Sequence, residues 1–94
     1  MKRYALIIEP EAADDLGAIY RFIVQNDTAI QAERFLRKLQ KVIDSLAYMP
    51  ERFCQSIYIE DADVHDRVVH GYTICYAVRE DRVHVVAVFR QRAL

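Results

Sequence analysis

The chain is predicted to adopt an α+β fold of order β-α-α-β-β-β, a helix hairpin packed on a small antiparallel sheet. Three observations predict it: a short apolar strand near the N-terminus, two consecutive stretches of helical periodicity, and a second half that changes to β-rich runs. Two helices with one apolar face each must cover one face of such a sheet, because neither can bury its stripe alone. The 94 residues are 53% apolar, enough for one domain with a single core and no disulfide or structural metal.

Residues 4–8 read as the opening strand. Pro10, suited to a first helical position, starts a helix in which Ala12, Leu16, Ile19, Tyr20 and Ile23 recur at helical spacing, with an end near Asn26. Glu9, Glu11, Asp14 and Asp15 complement the dipole of its N-terminus. Thr28 and Gln31 have the spacing of a capping box, in which hydroxyl and amide satisfy reciprocal backbone donors. Ala32, Phe35, Leu36, Leu39, Val42, Ile43 and Leu46 then form the apolar stripe of a second helix that Pro50 prevents from continuing. The link between the helices is so short that they form an antiparallel hairpin.

Beyond Pro50 the period changes. Residues 54–59 and 64–70 read as short strands separated by the acidic turn Glu60, Asp61, Ala62, Asp63. Gly71 supplies a turn before a strand at 72–78, and Arg79, Glu80 and Asp81 turn the chain into a last strand at 82–89. Thr73, Ile74, Tyr76, Val83, Val85, Val86 and Val88 are strong β formers. This hairpin is apolar on both pleat faces, so it is central, or covered on its second side by something the chain does not contain.

The net charge of −1 argues against a general nucleic-acid binder, which relies on a strong basic field. Charge is nevertheless uneven: Arg34, Arg37, Lys38 and Lys41 crowd the second helix, and Arg90 and Arg92 lie near the end of the sequence. Cys54 and Cys75 stand in apolar or β-branched surroundings and read as reduced core thiols. No run approaches the roughly 18 apolar residues of a membrane span, and Lys2 and Arg3 lead directly into a strand instead of a secretory segment, so a cytoplasmic protein is expected. His65 and His70, five apart on one strand, fall on opposite pleat faces without a cysteine or carboxylate at ligand spacing, so no metal site and no cofactor are expected. Phe22 lies off the main stripe of the first helix. Burial against the start of the second helix is its expected place, whereas an exposed Phe beside Arg21 would suit a partner helix.

The joint spacing of three segments carries a family resemblance. They are Pro10, Ala12, Asp15, Leu16, Ile19, Tyr20, Phe22 and Ile23; then Ala32, Phe35, Leu39, Ile43, Leu46 and Pro50; then Gly71, Tyr72, Ile74, Tyr76 and Val78. This pattern resembles the RelE/ParE superfamily of bacterial toxins over essentially the whole chain. The resemblance implies the β-α-α-β-β-β fold, a role as toxin of a type II toxin-antitoxin (plasmid stabilisation) system, and a small antitoxin partner in a hetero-oligomer. It also implies one of two targets. RelE-like members are ribosome-dependent mRNA endonucleases; ParE-like members poison DNA gyrase without a known hydrolytic site.

Metal-free RNA cleavage needs a base for the ribose hydroxyl, a proton donor for the leaving oxygen and cations for the developing charge. RelE-like nucleases supply an Arg after the Tyr of the Gly-Tyr-Arg strand motif and a Tyr or His near the C-terminus. Here the strand position is Thr73, and residues 89–94 read Phe-Arg-Gln-Arg-Ala-Leu. ParE-like chains often end in a His-x-Arg segment, which Arg90-Gln91-Arg92 resembles with Arg in the His position. Gyrase inhibition is therefore the expectation, with Arg67, Arg90 and Arg92 as target-binding cations. On the nuclease alternative, with the ribosome and mRNA as partners, Arg67, His70, Arg90 and Arg92 are the catalytic candidates. An apolar groove on the hairpin, bearing Leu16, Ile19, Phe22, Ile23, Phe35 and Leu39, or an uncovered sheet face is the expected antitoxin site.

Overall fold

A computed structural model describes residues 2–90 of the chain. Strand β1 (Ala5–Ile8) leads into helices α1 (Pro10–Asn26) and α2 (Ala29–Ser45), and strands β2 (Val64–Val69), β3 (Tyr72–Arg79) and β4 (Arg82–Arg90) follow. Pro10 occupies the first turn of α1, where a missing N–H costs nothing. The Thr28 hydroxyl accepts the Gln31 N–H at 3.1 Å and caps α2. Helix α2 ends at Ser45, and Met49, in the left-handed region at φ 46°, redirects the chain into a single 3-10 turn at Pro50–Arg52.

The four strands form one sheet in the order β1-β4-β3-β2. Strands β2, β3 and β4 are an antiparallel meander, but β1 pairs parallel to β4, so the sheet is mixed where an antiparallel one was expected. The connection from β1 to the meander contains both helices and is long enough to return the chain in the parallel sense. The Ala5 N–H donates to the Asp81 carbonyl and the Glu9 N–H to the Val85 carbonyl, both at 2.9 Å, which bounds the parallel pairing. His70 (φ 54°) and Gly71 (φ 80°) make the tight link from β2 to β3, and Glu80 (φ 57°) helps turn β3 into β4.

The main core lies between the helix hairpin and one face of the sheet. Ala12, Ile19, Leu39, Ile43 and Leu46 from the helical half meet Ile74, Tyr76, Val78, Val83, Val85 and Val88. At 25 cal/mol per Å², a fully buried Leu or Ile contributes about 2 kcal/mol, so this interface dominates the stability of so small a domain. Tyr76 also donates its hydroxyl to the Pro50 carbonyl at 2.5 Å, tying the end of the helical half to the central strand.

The second face carries a smaller cluster of Val64, Cys75 and Ala77, joined by Ile59, Val86, Ala87 and Phe89. The expected strand at 54–59 does not form; only Gln55 bridges to His65, and the segment lies over this second face instead. Local acceptors take its backbone donors: Ser56 Oγ accepts from Tyr58 and Ile59, each at 3.1 Å, and Asp66 Oδ2 accepts from Ile57 at 3.1 Å. The apolar second side of the β3–β4 hairpin is thus covered partly by the chain itself. Cys54, expected in the core, is exposed on this segment, while Cys75 is buried, and both thiols are free.

Candidate functional site

Two clusters of charge and aromatic surface stand on opposite edges of the sheet. The first is built where the last turns of α1 cross the end of β4. Arg90 pairs with Tyr72 in the β3–β4 register, and its guanidinium lies 5.7 Å from the ring centroid of Phe22. Phe22 is 47% exposed, so the expected burial against α2 fails: α1 turns this side chain toward β4, where it lines a groove with Val88 and Arg90. Asp15, Ile19, Phe22, Tyr72, Val88 and Arg90 line a groove of about 260 Å³ with an apolar floor. Asp15 is held at the groove by accepting the Val88 N–H at 2.9 Å.

The second cluster surrounds Phe53 beside β2. Arg67 lies 4.7 Å and Arg52 4.9 Å from the Phe53 ring centroid. Arg67 also donates to the Val68 carbonyl at 2.9 Å, while its Nε is buried without a hydrogen-bond partner among the described residues. His65 stacks on Tyr76 with ring centroids 5.6 Å apart and places Nδ1 2.8 Å from the Phe53 carbonyl oxygen. Burial raises the Tyr76 hydroxyl well above its ordinary value, although Arg52 and Arg67 oppose the shift. Arg52 was missed in the sequence. Arg52-Phe53 is a visible signal, but the second cation over the ring comes from β2, which is distant in sequence.

The structure keeps the sequence-selected cations apart. Arg67 pairs with Ile74 and Arg90 with Tyr72, two strands and two residues removed, a Cα separation of about 12 Å, and their guanidinium groups lie over different rings, Phe53 and Phe22. His70 is not on the strand, as expected, but exposed in the left-handed turn after it, edge-on to Phe35 at 6.3 Å. His84, which was given no role, sits 2.7 Å from Glu9 Oε1 and links β4 to the start of α1. Arg92 lies outside the described residues. Thr73, which occupies the cation position of the nuclease strand motif, is fully buried on the pleat face of Cys75 and Ala77.

The six residues selected for antitoxin docking divide by burial. Leu39 and Ile19 belong to the toxin's own core, and Leu16, Ile23 and Phe35 are half-buried against it. Phe22 is the exposed one of the six. The groups of acidic, His and Cys side chains that a metal requires do not occur among the described residues. No described helix is long and apolar enough to cross a membrane.

A profile of the ParE toxin of type II toxin-antitoxin systems matches residues 6–94. The chain belongs to the ParE toxin family. This ParE-family chain is similar in fold to the chromosomal ParDE toxin-antitoxin system from P. aeruginosa, at TM-score 0.83 and 16% identity over 98% of this chain and 100% of that one. It is similar to the RelBE2 toxin-antitoxin complex from Mycobacterium tuberculosis, at TM-score 0.72 and 17% identity over 97% of this chain and 94% of that one. It also resembles the YoeB dimer from Staphylococcus aureus, at TM-score 0.60 and 14% identity over 97% and 99%. No curated protein sequence matches this chain. The ParE-family toxin is thus the toxin of a type II toxin-antitoxin system, with the fold that ParE and RelE toxins share.

Proposed function

We propose that this toxin inhibits DNA gyrase in the bacterial cytoplasm and is neutralised by a cognate antitoxin, in a hetero-oligomer that stabilises the replicon encoding it. The reading is carried by Thr73. At the strand position where RelE-like nucleases present a cation to RNA, this chain has a hydroxyl that is fully buried on the second face of the sheet. A buried neutral side chain supplies no charge to a phosphorane-like transition state, and loss of one such donor commonly costs two to three orders of magnitude in rate. The separation of Arg67 from Arg90 supports the same reading, because a nuclease needs its cations on one phosphate.

The antitoxin contact belongs to the Phe22–Arg90 groove, where an exposed ring, an apolar floor and a cation suit an amphipathic segment carrying a carboxylate. The test is incubation of the purified chain with gyrase and supercoiled plasmid, beside a translation extract carrying a reporter mRNA. Gyrase-dependent linear DNA with intact mRNA supports the reading. Codon-linked mRNA cuts with intact plasmid overturn it and make Arg67, His70 and Arg90 the residues to substitute.

A further inference from the structure

The outer face of α2 is used by neither the fold nor the groove. Arg34, Arg37, Lys38 and Lys41 fall within an arc of about 100° and about 10 Å of helix axis, opposite the buried Ala32, Leu39 and Ile43. All four are exposed. Arg37 lies 3.9 Å from Glu33, and Arg34, Lys38 and Lys41 make no ion pair among the described residues. Each cation is three or four residues from two others, so the arrangement sets four like-charge pairs side by side and destabilises the helix that bears it. In a chain of net charge −1, that concentration is unrewarded by the fold and fits a polyanion.

We propose that this face of α2 contacts the phosphate backbone of duplex DNA. The inference rests on the gyrase reading, which places duplex DNA beside the bound toxin. A duplex backbone fits better than a single strand because single-strand sites stack bases on exposed aromatic rings. The aromatic residue of α2, Phe35, is turned inward against His70 and Tyr72, with ring centroids 6.3 and 5.4 Å away. The four cations face outward on one exposed arc beside the exposed Ile30, with Glu33 and Asp44 at its rim, and such side chains read charge spacing and not base identity.

The experiment is titration of the full chain into a fluorescein-labelled duplex of about 20 base pairs at several salt concentrations, followed by fluorescence anisotropy. Three to four phosphate contacts predict a slope of log affinity against log salt of about −3 to −4. Arg34→Gln/Lys38→Gln/Lys41→Gln is expected to weaken binding at least tenfold and to flatten the slope by about 3, while the melting temperature stays level or rises as like-charge neighbours disappear. An unchanged slope in the triple variant, no binding by the wild-type chain, or stronger binding to poly-glutamate than to the duplex overturns the proposal. Gyrase cleavage is scored separately on the same samples. Cleavage without duplex binding sinks the α2 contact alone, and binding without cleavage sinks the target reading while the contact stands.

Discussion

The carboxylate of Asp15 accepts the backbone N–H of Val88 at 2.9 Å, joining residues 73 positions apart. Strand β1 pairs with β4 from Arg82 to Val85, so beyond that point the edge of β4 has no strand partner among the described residues. Helix α1 covers the exposed edge, and Asp15 supplies the acceptor that a longer β1 would have provided. The same contact joins α1 to the strand end, and both of its residues line the Phe22–Arg90 groove.

Replacing Asp15 with Ala leaves that N–H without its acceptor. A charge-assisted bond in a half-buried position is worth about 1–3 kcal/mol, so the urea midpoint is expected to fall by that equivalent, with Asp15→Asn recovering part of the loss because its carbonyl oxygen still accepts the bond. Equal stability of Asp15→Ala and wild type would refute the assignment.

Tyr76→Phe removes the hydroxyl that donates to the Pro50 carbonyl and leaves that carbonyl buried and unpaired. The expected cost is about 1–2 kcal/mol with no change in the far-ultraviolet circular dichroism spectrum. Loss of the helical signal would mean that the bond also holds the hairpin in place.

Alkaline pH is expected to unfold the protein through its two buried acids. Burial, aided by the Asp66 carboxylate that accepts its hydrogen bond at 3.1 Å, pushes the Cys75 thiol from 9.0 up to about 12. Both shifts are upward, so the folded state retains protons that the unfolded chain releases. Stability is therefore full below about pH 9 and falls by about 1.4 kcal/mol per pH unit above it, more steeply once Tyr76 joins beyond its ordinary value of 10.0. Urea denaturation between pH 8 and 11, as approximate limits, checks this, and Cys75→Ala is expected to flatten the first part of the decline.

Phe22→Ala is expected to leave stability within about 0.5 kcal/mol, since the ring is nearly half exposed, while antitoxin affinity drops about tenfold to a hundredfold. Arg90→Gln is expected to weaken the same complex and to reduce its salt dependence. Calorimetry with the cognate antitoxin at two salt concentrations measures both effects. An unaltered Kd for both variants would remove the groove from the interface.

Helix boundaries, the Thr28 cap and the two tight turns were legible in the sequence because each depends on neighbours within a few residues. Pro10, the Thr28 hydroxyl and the adjoining His70-Gly71 pair act on their own turns of backbone. The core stripe of α2 was legible for a similar reason, since a period near 3.6 must place Ala32, Leu39 and Ile43 on one side. The family pattern needed more than local spacing, but it consists mainly of these same core positions.

Residues 54–59 mark where local reading fails. Their β-like composition is real, but Ser56 and Asp66 capture the backbone donors, and apolar side chains such as Ile59 pack flat on the second face of the sheet. The parallel sense of β1, the exposure of Phe22 and the separation of Arg67 from Arg90 were likewise decided by tertiary structure. The sequence by itself determined the two helices, the strands other than residues 54–59 and which face of each helix is buried, because those follow from dihedral preference and periodicity along one segment. Which edges meet, and which cations share a surface, depends on how distant segments satisfy one another's hydrogen bonds and apolar area, and only the folded chain decides that.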